Sequence, residues 1–136
     1  MFSQIDNPLY NDTLAIKYGA DIYGMKAYTL VILKTGSNNT QDKEFLNKCF
    51  SGHFSNMERM EKEGKLILAG PLSKNDAQYR GIFIIQNTDK EQVIIDLEKD
   101  MSISEKVLSY ELYQWFGSAA LPAYLPDSEK IWKNKP

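Results

Sequence analysis

FLNKCFSGHFSNMERMEKEGKLILAG, residues Phe45–Gly70, reads as a helix, its stop and the strand that follows. At about 100° per residue, Phe45, Leu46, Cys49, Phe50, Phe54, Met57 and Met60 fall on one half of a helical wheel. Asn47, Lys48, Ser51, Ser55, Glu58, Arg59 and Lys62 fall on the other. Thr40 or Asp42 can open this helix, and Gly64 suits the left-handed position after its end. Lys65–Gly70 then reads as a short buried strand. His53, the only histidine of the chain, lies near the centre of the apolar half. Desolvation penalises a charged ring there unless a partner offsets the cost. The ring is therefore either a core residue bonded to a backbone carbonyl or the wall of a cavity.

Working outward, Ala27–Thr35 is a strand rich in β-formers, with nearly continuous apolar residues that call for cover on both faces. Gly36–Asn39 turns into the helix. Tyr79–Gln86 is a third strand after a loop from Pro71 to Gln78. Thr88-Asp89-Lys90-Glu91 reads as a capping box for a second helix ending near Asp100, and Ser102-Ile103-Ser104-Glu105 as another for a turn or two. Val107–Phe116 is the last strand. Its alternation sets Leu108, Tyr110, Leu112, Gln114 and Phe116 against Ser109, Glu111, Tyr113 and Trp115. The order β-α-β-β-α-β is the split βαβ of ferredoxin-like α+β domains, a four-stranded antiparallel sheet with two helices on one face. The apolar character of both strand faces leads us to expect a homodimer whose sheets face each other.

Residues 1–26 form an N-terminal extension before the 27–116 domain, and 117–136 a C-terminal tail. Asn11 or Asp12 caps a short helix that Gly19 stops. Tyr18–Met25 is expected to be a packed arm, because its tyrosines and methionine are costly to leave in water. At 136 residues, 43% of them hydrophobic and 25% charged, the chain has the makeup of one soluble globular domain. A net charge of −2, with no basic stripe, argues against nucleic acid as a partner. One cysteine excludes an internal disulfide. No signal-peptide pattern or membrane-length apolar run is legible, so the expected location is the cytoplasm.

Several residues carry candidate chemistry. Imidazoles titrate near neutrality, which suits His53 to proton transfer. Cys49 sits one turn before it, but zinc needs about four ligands and the chain offers no second His or Cys, so Cys49 reads as a core residue. Arg80 can hold an anionic group or can pair with Asp76 on the surface. Ser73 lacks a nucleophile-elbow context, and neither a phosphate loop nor a dinucleotide fingerprint is present.

His53-Phe54-Ser55-Asn56-Met57, Glu63-Gly64-Lys65-Leu66, Ala69-Gly70-Pro71-Leu72, Arg80-Gly81-Ile82-Phe83-Ile84 and Asp100 before Tyr110-Glu111-Leu112-Tyr113-Gln114-Trp115 resemble, in order and spacing, the YCII-related (YciI-like) family. The match covers roughly Tyr28 to Phe116, and the flanking extensions look like those of a subgroup. The resemblance implies a dimeric α+β barrel whose cleft holds a histidine–aspartate pair, here His53 and Asp100. Pro71, Leu72, Arg80 and Gly81 would shape the substrate-binding rim. Two departures stand out: the family often has Asp-Pro where this chain has Asp100-Met101, and Ser73-Lys74-Asn75-Asp76 replaces a glycine-rich stretch. Relatives in the wider superfamily include muconolactone isomerases and a dehydrochlorinase. The implied activity is that of a lyase or isomerase, with the His–Asp pair moving a proton on a small oxygenated molecule, cyclic or open-chain, and with no metal or organic cofactor. The alternatives are a non-catalytic ligand-binding or structural homodimer, or a subunit of a larger complex.

Overall fold

The computed structural model describes residues 6–136; the first five residues of the expected extension lie outside them. In chain order the elements are α1 (Asp12–Tyr18), β1 (Met25–Thr35), α2 (Lys43–Lys62), β2 (Leu66–Pro71), β3 (Tyr79–Ile85), α3 (Lys90–Glu98), α4 (Met101–Ser104), β4 (Leu108–Ser118), a 3-10 turn (Leu121–Tyr124) and α5 (Leu125–Ile131). The class is α+β. The four strands form one open antiparallel sheet in the order β2-β3-β1-β4. The chain divides into two units, Ala27–Phe116 and a smaller one made of the residues up to Lys26 with Gly117–Pro136.

Local chemistry explains where the helices start. Asp42 caps α2, its carboxylate accepting from the backbone N–H of Glu44 and Phe45. The helix ends at Lys62, Glu63 is its C-cap, and Gly64 follows with φ 73°, a conformation that disfavours a side chain. The two expected capping boxes begin elsewhere. Asp89, not Thr88, caps α3, and Asp100, not Ser102, caps α4. In both cases a carboxylate takes the cap in place of a neighbouring hydroxyl, since an ionised acceptor makes the stronger bond to an N–H. Ser102 is thereby drawn inside α4.

The larger unit is built around one apolar core. Val31 of β1 pairs with Phe83 of β3, which pairs in turn with Ala69 of β2, so these residues share one face of the sheet. Met60 of α2 and Val93 and Leu97 of α3 close over that face, each at most 1% exposed. A fully buried side chain of this kind contributes about 1.5–3 kcal/mol over its exposed state. Tyr110 and Leu112 of β4 lie against the same core, as the strand's alternation requires. The opposite face carries Tyr28, fully buried with its ring 5.9 Å from that of Trp115, and a Lys34–Glu111 ion pair at 3.2 Å.

In the smaller unit Asn11 caps α1 through the Leu14 N–H, and Gly19 ends it. The arm after it is shaped by hydrogen bonds more than by burial. Asp21 accepts from the N–H groups of Tyr23 and Met25, while Ile22 and Tyr23 stand about four-fifths exposed. The expected burial of the arm's aromatic residues therefore fails at Tyr23. Neither α1 nor α5 contains a buried residue. No helix among the described residues is long and apolar enough to cross a membrane.

Tyr110 donates its hydroxyl proton to Glu98 at 3.0 Å. Burial, reinforced by Glu98, pushes its phenol up to about 12 from an ordinary 10.0. The folded state thus binds this proton more tightly than the unfolded state does. The associated stability is complete below pH 10.0 and is lost as the pH rises toward 12. In urea unfolding measured across that window, the wild type should lose stability more steeply than Tyr110→Phe; parallel curves would refute the assignment.

Candidate functional site

The wheel drawn from the sequence is rotated slightly in the fold. The buried stripe of α2 is Cys49, His53, Asn56 and Met60. Phe54 is displaced to the rim, 55% exposed, and a polar residue, Asn56, takes a core position. His53 itself faces inward and is 8% exposed. Its ring stacks on Phe83 (centroids 6.0 Å apart, planes at 20°) and meets Phe54 edge-on at 5.4 Å and Phe50 at 6.2 Å. Aromatic walls thus surround most of the imidazole.

The exception is Nδ1, which lies 2.5 Å from Oδ2 of Asp100. Asp100 is 1% exposed, between the end of α3 and the start of α4. A carboxylate accepts and does not donate, so Nδ1 carries the proton in the neutral ring and Nε2 is left bare. The ring's hydrogen bonds all run through Nδ1. Among the described residues no sealed side-chain nitrogen or oxygen lacks a partner. Nε2 makes no hydrogen bond, and 11% of the His53 side chain remains exposed. The other oxygen of Asp100, Oδ1, accepts from the backbone N–H of Ser102 at 2.8 Å and from its hydroxyl at 2.6 Å. Ser102 is fully buried.

Close approach of α2 and α4 makes this contact possible. A Cβ on Gly52 would stand 3.0 Å from Cβ of Met101, the residue after Asp100. A helix-interior glycine costs about 1 kcal/mol against alanine; here it allows α4 to come in. A second polar contact lies one turn further along. Asn56 donates to the backbone carbonyl of Asp96 at 3.0 Å, and Arg59 donates to both Asn56 Oδ1 and Asp96 Oδ1. The Asp96 side chain is only 7% exposed, and it is matched by Arg59, Lys65 and Lys99 at 3.3, 3.2 and 3.8 Å. Lys65 also bonds Glu63 and, with Arg59 nearby, holds that carboxyl below its usual range. Sequence reading missed this network. The Arg59–Glu63 spacing was legible, but Asp96 arrives from another helix.

The other candidate residues scatter. Pro71 pairs with Gly81 across β2 and β3, and by strand alternation both lie on the face that carries Phe83. Leu72 is 45% exposed, and its N–H bonds the Arg80 carbonyl at 2.9 Å. Arg80 is exposed and falls at the irregularity where Leu33 pairs with Gly81 and Lys34 with Tyr79. Cys49 is fully buried and burial pushes its thiol up, which suits a packing role and not a nucleophile. Among the described residues no group of three or more His, Cys, Asp or Glu side chains is gathered as metal ligands would be. Two surface hollows are found elsewhere. One, of about 320 Å³, is walled by Ser55, Arg59 and Lys62; the other, of about 370 Å³, by Ser37, Lys106 and Tyr110. Neither is lined by His53 or Asp100.

Gly52→Val should force Met101 outward and separate Asp100 from the ring. The low-field proton resonance of the Nδ1–H···Oδ2 bond should vanish while far-ultraviolet dichroism keeps its helical signal; a persisting resonance would contradict this role for Gly52. Asp96→Ala should cost about 1–3 kcal/mol in urea unfolding. That is less than a sealed ion pair, because Lys65 and Lys99 can turn to water.

Set against known protein families and curated proteins, the chain matches no family model and no curated sequence.

Proposed function

We propose that this chain is a YCII-related protein, ferredoxin-like in fold, that acts as a small-molecule lyase or isomerase. The observation that carries the reading is the 2.5 Å contact between His53 Nδ1 and a buried Asp100 carboxylate, with Nε2 left unbonded. In this mechanism Nε2 takes a proton from a carbon next to a carbonyl or phenol group. The C–H electron pair is delocalised as an enolate. It then either expels a leaving group or is reprotonated by the same nitrogen at a different carbon, which shifts the double bond. Asp100 holds the Nδ1–H tautomer throughout and offsets the positive charge on the ring after proton uptake. Phe83, Phe50 and Phe54 keep water from much of the ring. Pro71, Leu72, Arg80 and Gly81, adjacent where β2 ends and β3 begins, are proposed to form the rim. A small oxygenated substrate fits this chemistry, cyclic ones included.

The strand order, with α2 and α3 on one face of the sheet, supports the ferredoxin-like reading. The apolar strip on the other face, ending at the half-exposed Tyr113 and Trp115, supports a homodimer formed through facing sheets. A second reading, a non-catalytic ligand-binding or structural dimer, is favoured by one observation: His53 is 8% exposed, with its ring packed on Phe83 and Phe54.

Screening small lactones, hydroxyquinones and phenols separates the two. For a compound that is converted, His53→Ala should lower turnover by about 10²–10⁴-fold, the usual weight of a positioned acid–base group, with binding retained. Asp100→Asn should lower turnover as well. A compound bound equally by wild type and His53→Ala, with no conversion by either, would favour the non-catalytic dimer.

A further inference from the structure

Asp100 is sealed from water, so each of its oxygens depends on a protein donor. Oδ2 faces His53, and Oδ1 takes both of its donors from Ser102. The backbone N–H contact is what any capping carboxylate makes. The hydroxyl contact is additional, and a cap does not need it. The hydroxyl has one proton to give, and at 2.6 Å it gives it to Oδ1; Oγ stands 3.5 Å from His53 Nδ1, too far to rival Asp100 as that nitrogen's acceptor. The terminal torsion of an aspartate is intrinsically broad. Two donors on one oxygen narrow it and leave the second oxygen aimed at the ring.

We infer that Ser102 is a positioning residue for the His53–Asp100 pair: its hydroxyl locks the carboxylate so that Oδ2 meets Nδ1 and the ring keeps a bare Nε2. This deepens the proton-transfer reading above and rests on it. Without the hydroxyl, Oδ1 retains only the backbone donor. The carboxylate then turns to share its remaining lone pairs, and the neutral imidazole gains access to the tautomer with its proton on Nε2. That tautomer cannot accept a proton from substrate.

The lone histidine makes the test direct. With ¹⁵N-labelled imidazole at about pH 9, above the ordinary imidazole range, the wild type should show one tautomer, protonated at Nδ1. In Ser102→Ala the minor tautomer should grow roughly tenfold, the weight of one buried hydrogen bond. Ser102→Cys, similar in size but a weaker donor, should fall between. A structural role alone would lower the melting temperature and leave the tautomer ratio where it was. A wild-type ratio in Ser102→Ala would overturn the inference, as would one in Ser102→Cys should the alanine variant not fold. If instead the wild type itself carries its proton on Nε2, the His–Asp reading fails first and Ser102 loses its role with it.

Discussion

A carboxylate that is 1% exposed is the constraint around which the larger unit is organised. An isolated buried charge costs many kcal/mol, so Asp100 is tenable only if donors reach it from every open side. Ser102 arrives from within α4, and His53 has to arrive from α2. The helix must therefore lie close against the α3–α4 corner and in one rotational setting. Gly52 permits the distance, and Asn56 with Arg59 holds the setting by gripping Asp96 one turn away. The two contacts, His53 with Asp100 and Asn56 with Asp96, act as successive rungs between the same pair of surfaces.

The apolar core supplies the rest of the docking energy but little of the direction. Met60, Val93 and Leu97 would bury against the sheet over a range of helix rotations, because hydrophobic attraction is non-directional. Hydrogen bonds to buried charges are directional, so the polar rungs select one arrangement from that range. This also accounts for Phe54 at the rim. Once Asn56 must face Asp96, the stripe 49-53-56-60 points inward and residue 54 is carried away from the core.

Much of the scaffold was legible in the sequence, because it depends on local chemistry. The strands around Val31, Leu66 and Phe83, the helix opened by Asp42 and closed before Gly64, and the short helix capped by Asn11 all follow from short-range preferences. The caps of α3 and α4 differ from the expected ones because a threonine or serine within two residues of an aspartate offers two plausible starts, and only the surrounding geometry selects one. At the site, His53 was visible as a titratable ring on an apolar face. Asp100 was singled out only through family resemblance, since an aspartate after a helix is an ordinary turn residue. Ser102 and Asp96 were not singled out as site residues.

The amino-acid order alone determined the α+β class, the succession of strands and helices, and which helix turns its histidine inward, because periodicity and capping act within a few residues of themselves. Tertiary structure alone decided that Nδ1 meets a carboxylate 47 positions away, that Ser102 sits behind that carboxylate, and that Asp96 collects three cations. Such contacts join residues brought together only by helix docking, and their strength comes from burial that no segment of this chain achieves by itself.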